Sequence, residues 1–382
     1  MPFRLPSARI NWTNSSFLIG VAVATCTAVP FYLWHYGIDG FQVALFLAFF
    51  SATGLSITLG YHRLLAHMTF HARWPVRLFT LLFGAAAFEN AALNWVSDHR
   101  RHHKNVDSDN DPYDITKGFW HAHIGWILFK LEPEPPLDNV SDLRKDRLVM
   151  LQERFYVPVA VGVGFVLPAL LGWLHAGWPG ALGGFLLAGV ARVTAVQHMT
   201  FFINSLCHTI GRQPYSDKCS ARDSWIMALF TFGEGYHNYH HEFQHDYRNG
   251  VKWWQWDPTK WSIWVLEKIR LVRGLRRVPE EKVLLSQLAD TRRRLNERLA
   301  IGKTELNARL RELLQSSDAK LRELGDRWTA LKTSYADRAE ALKAEYSERA
   351  GQQVDDARTA LAEIRREVRQ ALNLLEMAGA PA

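Results

Sequence analysis

Apolar residues are concentrated in the first three-fifths of this chain, in runs long enough to matter. A helix crossing the hydrocarbon of a bilayer needs about 20 mainly apolar residues. Four stretches meet that length, about Ser16 to Trp34, Phe41 to Leu59, Val157 to Leu174 and Pro179 to Val196. Pro30 and Pro168 fall inside two of them, and membrane helices tolerate such prolines. A fifth run, Val76 to Val96, is interrupted by Arg77, Glu89, Asn90 and Asn94. It is expected as a helix lying at the interface or packed on a polar domain. Arg192 lies about one turn inside the cytoplasmic end of the fourth stretch and is expected to snorkel outward.

From about Pro279 the pattern changes to a helical stripe. Leu306, Leu310, Leu313, Leu321, Leu324, Trp328, Leu331, Tyr335, Leu342 and Tyr346 recur mostly at spacings of three, four or seven. After Gly351 the series resumes at Val354, Ala357, Leu361, Ile364, Val368, Leu372 and Leu375, with charges of both signs between. Such periodicity predicts a long amphipathic helix or coiled coil, free to self-associate or to pack within its own chain. Gly302, Gly325 and Gly351 are expected as breaks or weak points in it. The domains expected are therefore a short N-terminus (1–15), a membrane domain (16–278) and a helical tail (279–382).

Charge fixes an orientation for this scheme. The short links around His35 to Gly40 and at Ala176 carry no Lys or Arg, whereas Arg4 and Arg9 precede the first stretch and Arg63, Arg73, Arg77, Arg100, Arg101 and Lys104 follow the second. Excess Lys and Arg marks the cytoplasmic side, so both termini are expected there. The net charge of +7 then suits a membrane surface, and no nucleic-acid partner is expected. Three cysteines without regular spacing give no disulfide framework.

Histidines carry the chemistry. They cluster as HRLLAH (His62 to His67), HRRHH (His99 to His103) and HNYHH (His237 to His241), with His208 apart in NSLCH. On a helix His99, His102 and His103 occupy i, i+3 and i+4 and share a face, as do His237, His240 and His241. Each cluster can thus serve two neighbouring metal ions. His62 and His67, five apart, suit a helix that ends or bends just past the bilayer. Eight or nine imidazoles without cysteine exceed one closed zinc site and point to a pair of iron ions and dioxygen chemistry. Asp98 and Glu234 are candidates to orient the rings from behind, or else cap or surface groups.

These boxes, with GWILF (Gly125 to Phe129), SDLRKDRLVM (Ser141 to Met150), EGYHNYHH (Glu234 to His241), DYRNG (Asp246 to Gly250) and DPTKW (Asp257 to Trp261), make the stretch Thr53 to Trp264 resemble the integral-membrane fatty acid desaturases. The resemblance is nearest to their acyl-CoA delta-9 branch. It implies an all-α membrane protein with four transmembrane helices and a cytoplasmic di-iron domain. It implies metal ligation by His62, His67, His99, His102, His103, His208, His237, His240 and His241, with Asn204 reaching one metal through water. It also implies insertion of a cis double bond into a saturated acyl chain, using dioxygen and two electrons.

Substrate contacts implied or suggested are Asn90, Trp95, Asp98, Trp126, Lys130 and Phe201, with Phe119 and the aromatics after Gly250 as further tunnel candidates. The sequence departs from relatives that bind coenzyme A at Ser97, where they carry arginine. It departs again at Lys130–Leu131, where they carry a basic pair, and at Phe201, where they carry tryptophan. The acyl carrier is therefore left open between coenzyme A, a carrier protein and a phospholipid. No HPGG haem motif occurs, so a separate ferredoxin, rubredoxin or flavin reductase is expected as electron donor. A di-iron hydroxylase of alkyl or acyl chains and a non-enzymatic metal-binding membrane scaffold are the alternatives.

Overall fold

A computed structural model describes residues 9–131, 135–300 and 348–379, with scattered positions between 315 and 333. It divides into two compact units, Met1–Arg212 with Cys219–Arg277, and Gln213–Lys218 with Val278–Ala382.

The first unit is built on three long apolar helices, α1 (Trp12–Tyr36), α2 (Gly40–Ala66) and a third apolar segment, α6 (Tyr156–His208). Asn11 and Asp39 cap the first two, accepting from the backbone N–H of Asn14 and Gln42 at 3.2 and 2.8 Å. Outward faces such as Ile19, Phe31, Leu47, Val157 and Leu170 are apolar and exposed, which water would penalise and lipid would not. Within α6 the helical path breaks at Ala176 (φ −143°, ψ 32°) and Gly177 (φ 59°, ψ −144°). The chain doubles back there. Gly172 and Gly180 let the two halves touch backbone to backbone, since a side chain at either would collide with the other's carbonyl. His175, beside this reversal, bonds Asp39 in the α1–α2 link at 3.0 Å, so both links lie at one end. Trp34, Tyr36, Trp173 and Trp178 are exposed around them.

α2 runs seven residues past the Leu59 end read from hydropathy. Over Ser56–Ala66 it is wound as a π-helix, and the His67 N–H donates to the His62 carbonyl at 3.0 Å. That i to i+5 winding brings residues five apart toward one face. The helix does end past the apolar run, as expected, but it is the wider winding that aligns His62 with His67.

Two expectations fail here. The run Val76 to Val96 is not one helix but two, α3 (Trp74–Ala85) and α4 (Ala92–Asn105). Phe88 and Asn90 between them adopt positive φ (59° and 76°), which no α-helix accommodates. At 12 residues α3 is too short to span a bilayer. Arg192 does not snorkel; it is fully buried. Its guanidinium donates to the carbonyls of Ala188 (3.0 Å), Gly164 (2.8 Å) and Ala86. Ala86 follows the end of α3, where helix carbonyls lack partners of their own.

Further helices are α5 (Arg147–Arg154), α7 (Trp225–Phe230), α8 (His237–Glu242) and α9 (Pro258–Lys268). One antiparallel pair, β1 (His71–Ala72) with β2 (Val272–Arg273), sets His71 opposite Arg273. Ile57, Tyr61 and Leu65 of α2 share a core with Leu93 and Val96 of α4, Val149 of α5 and Ile263 of α9. Burying each such side chain contributes about 1.5–3 kcal/mol, which fixes the helices that carry the histidines against one another.

In the second unit α10 (Glu280–Ala300) and α11 (Glu348–Gly379) bury Leu284, Leu288 and Leu295 against Ile364, Val368, Leu372 and Leu375. Arg365 Nε meets Glu281 at 2.8 Å beside this stripe. The break expected at Gly351 is absent, because α11 runs through it. Glycine costs a helix about 1 kcal/mol, less than the buried stripe downstream contributes. Gly325 is likewise helical. The series from Leu306 to Tyr346 and Gly302 lie outside the described residues, as does Arg4.

Candidate metal centre

Nine imidazoles from four parts of the chain meet in two groups. His62, His67, His99, His103 and His240 form one, and His102, His208, His237 and His241 the other; within each, the ligand atoms lie within 4.8 Å of one another. Helical geometry explains the sorting. On α4 the i, i+4 pair His99 and His103 enters the first group while His102 turns to the second. On α8 the i, i+4 pair His237 and His241 enters the second while His240 turns to the first.

Facing Nε2 atoms are close: 3.0 Å for His62–His240, 2.9 Å for His67–His99 and 3.0 Å for His103–His240 in one group. In the other they are 3.0 Å for His208–His237, 3.0 Å for His237–His241 and 3.4 Å for His102–His241. Nitrogens held ~2.1 Å from one cation would stand ~3 Å apart when they bind it at right angles.

Protonation agrees. Burial first, then neighbouring imidazoles, hold His67, His99, His103, His237, His240 and His241 well below the usual imidazole range. The rings are neutral and keep a lone pair for a metal.

The outward nitrogens of several rings are held from behind. His62 Nδ1 lies 3.0 Å from Glu234 Oε2. His102 Nδ1 lies 2.8 and 2.9 Å from the two oxygens of Asp111. His208 Nδ1 meets Ser220 Oγ at 2.7 Å, and Ser220 Oγ lies 2.5 Å from Asp107 Oδ1. Neighbours held against Nδ1 turn the Nε2 atoms of these rings toward the interior of their groups. Buried lone pairs gathered in this way repel unless a cation sits among them. The donor set therefore fits two metal ions.

Glu234 is itself anchored. Although burial pushes its carboxyl up, His62 and Arg63 hold it at about 2. Arg63, fully buried, bonds Glu234 Oε1 (2.8 Å), the Tyr247 carbonyl (2.8 Å) and Asp257 Oδ2 (3.1 Å). Asn249 Nδ2 donates to Glu234 Oε2 at 2.6 Å, and the N–H groups of Asn249 and Gly250 donate to Asp257 Oδ2 at 2.9 and 3.1 Å. The DYRNG and DPTKW motifs thus tie into the wall behind His62.

A cavity passes both groups, lined by Ile57, Trp95, Val196, Met199, Ile203 and Phe232 with His62, His99, His102 and His237. Asn204 lines it too. Of the candidate substrate contacts, Trp95 is in this wall, its ring stacked on His99 at 4.9 Å. The others lie outside it. Asn90 takes the Tyr156 hydroxyl through its backbone N–H at 3.1 Å. Burial raises Asp98 to about 6, and it reaches no imidazole among the described contacts. Trp126 packs on Tyr113 at 4.5 Å, Lys130 is exposed, and Phe201 is buried with Leu18 and Ile127. Phe119 is also outside, and Trp253, Trp254 and Trp256 are exposed.

Sequence reading missed Asp111, Asp107, Ser220 and Glu89. Glu89 accepts from Trp95 Nε1 (3.2 Å) and Thr200 Oγ1 (2.8 Å), and burial raises it to about 8. Asp111 lies nine residues beyond His102 in an acidic run that reads as a solvated loop. Replacing Asp111 with Asn is expected to weaken metal binding at the second group by about 10–100-fold. Metal titration of the purified variant checks this; wild-type affinity would refute the role given to Asp111.

Acyl-CoA desaturase 1 of Saccharomyces cerevisiae is 38% identical over 299 residues, 76% of this chain and 56% of that protein. Human stearoyl-CoA desaturase is 34% identical over 289 residues, 73% of this chain and 78% of that protein. The sn-1 stearoyl-lipid 9-desaturase of Anabaena variabilis is 32% identical over 269 residues, 70% of this chain and 94% of that protein. The chain spans only 56% of the length of its relatives from budding and fission yeast. The sequence model of fatty acid desaturases matches residues 40–266, more than half of the chain. The chain belongs to the fatty acid desaturase family.

Proposed function

We propose that this protein is a fatty acyl desaturase that inserts a cis double bond, at the delta-9 position, into a saturated chain. The observation that carries the reading is the pairing of two close-packed imidazole groups with an apolar cavity that passes both. The relatives' names supply the reaction and the position.

The nine histidines are the proposed ligands of two iron ions, with Asn204 approaching one of them through water. When bound, iron supplies the one-electron chemistry with dioxygen that an unactivated C–H bond requires. The protein's own part is positioning. Glu234, Asp111 and Ser220 with Asp107 fix ring orientation. Trp95, Ile57 and Ile203 form apolar wall that keeps water from the acyl chain and selects which carbons face the histidines. Two hydrogens leave neighbouring methylenes with two electrons; a donor adds two electrons and two protons, and dioxygen becomes two waters.

Four membrane crossings are part of the proposal. Each half of the doubled-back α6 has about 20 residues before the polar region, enough for about 30 Å of hydrocarbon. The aromatic residues at both links suit one interface, and the excess of Lys and Arg at the other end suits the cytoplasm. The membrane domain (16–278) and tail (279–382) are proposed as separate domains. The carrier is coenzyme A or a phospholipid, and both kinds are named among the relatives. A ferredoxin, rubredoxin or flavin reductase supplies electrons, and the tail either docks it or self-associates.

Expression with such a donor in a host lacking unsaturated fatty acids tests the proposal. The expected products are chains lighter by two hydrogens with the double bond at carbon 9, and sorting them by lipid pool identifies the carrier. Chains heavier by one oxygen would assign a hydroxylase instead, and unaltered chains would overturn the enzymatic reading.

A further inference from the structure

A second, separate feature lies where α9 ends against β1. His71, Arg73, Arg270 and Arg273 line a cleft there with one acidic residue, Glu267. None of the three arginines has an ion-pair partner among the described residues, while Glu267 lies 4.0 Å from Lys268. The N-terminus of α3 opens at Arg73 without a side-chain cap, which adds partial positive charge to the same place.

Arg270 is also strained for its type. It sits at φ 61°, just past α9. Its N–H donates to the Glu267 carbonyl and that of Leu271 to the Leu266 carbonyl, both at 2.9 Å. That pair of bonds is the helix-ending motif whose left-handed position favours glycine. A residue kept at a conformational cost points to use of its side chain.

An apolar groove continues from the cleft, between α2, α3 and α9. Leu59, Val76, Phe79 and Val265 line it, and Leu271 lines both groove and cleft. From the cap residue Arg73 into α3 the order is Arg73, then Val76, then Phe79, so charge gives way to apolar wall in successive turns. Exposed Trp74 and Trp264 flank the region, as aromatic side chains do at a membrane–water interface. The groove shares no lining residue with the cavity beside the histidines.

We infer that cleft and groove together hold one anionic membrane phospholipid, its phosphate among Arg73, Arg270 and Arg273 and an acyl chain along Leu59, Phe79 and Val265. This lipid is not the substrate. The surplus of positive over negative groups selects anionic over zwitterionic headgroups.

Native mass spectrometry of the full chain tests it, with phosphatidylglycerol or phosphatidylcholine of equal chain length titrated into detergent. The wild type is expected to retain one phosphatidylglycerol at about tenfold lower concentration than phosphatidylcholine. R270G, which suits the positive φ, and R73Q are each expected to remove that preference with an unchanged melting temperature. S262W, which fills the groove, is expected to remove retention of both lipids. Equal retention of the two lipids by the wild type, or an undiminished preference in both arginine variants, would overturn the inference. So would full displacement by equimolar glycerol phosphate, which would make this a simple phosphate site.

Discussion

Alanine in place of His208 is expected to leave the protein with one bound metal instead of two and to abolish double-bond formation. The two groups are unequal. Losing one imidazole from the five-membered group leaves four, as many as the other group begins with. Losing His208 leaves His102, His237 and His241 alone. The ring is buried and held at both nitrogens, by Ser220 behind and against His237 in front, so no neighbour can swing into its place. Elemental analysis should give a metal-to-protein ratio near one, with circular dichroism unchanged and product below about 1% of wild type, a loss of at least ~2.7 kcal/mol of transition-state stabilisation. H103A, taken from the richer group, should keep more metal than H208A. A variant that holds two metals and still forms product would remove His208 from the centre.

Much of this arrangement was legible in the sequence, for identifiable reasons. His99, His102 and His103 are read together because i, i+3 and i+4 share a helix face, and the structure divides the same three between two groups. The stripe of Ile364, Val368, Leu372 and Leu375 has helical spacing and is buried. What was not legible depends on contacts between distant segments or on backbone that hydropathy does not encode. The alignment of His62 with His67 requires a π-helix, which spacing alone does not announce. Arg192 looks like a residue near an interface until the carbonyls of Ala86 and Gly164 are seen to meet it. The split of Val76–Val96 follows from positive φ at Phe88 and Asn90. Asp111 and Asp107 become supports for histidines only once the loop after α4 folds back. Arg192 and Asp107 answer to partners far away in the chain, whereas the π-helix and the positive φ values are local backbone that hydropathy does not encode.

Replacing Arg63 with Met is expected to be the most destabilising single change outside the histidines. The guanidinium is buried between Glu234 and Asp257, which are buried themselves. Desolvating three charged groups is offset only while they face one another, so the intact cluster adds little net stability. Removing its cation is different, because two carboxylates are then left in a wall that water does not reach. Such losses cost about 3–5 kcal/mol, against a typical total of about 5–15 kcal/mol for a folded domain. For a unit of this size that corresponds to a fall in melting temperature on the order of 10 °C. R63K should fall between, since an ammonium restores the charge but not the planar set of donors that reaches Glu234, Asp257 and the Tyr247 carbonyl together. The loss should extend to the metal centre, because Glu234 holds both Arg63 and His62. Thermal melting of the detergent-solubilised variants, read beside their metal content, checks both parts. A Met variant that melts with the wild type would mean that the two carboxylates find other partners, and that the wall behind His62 does not depend on Arg63.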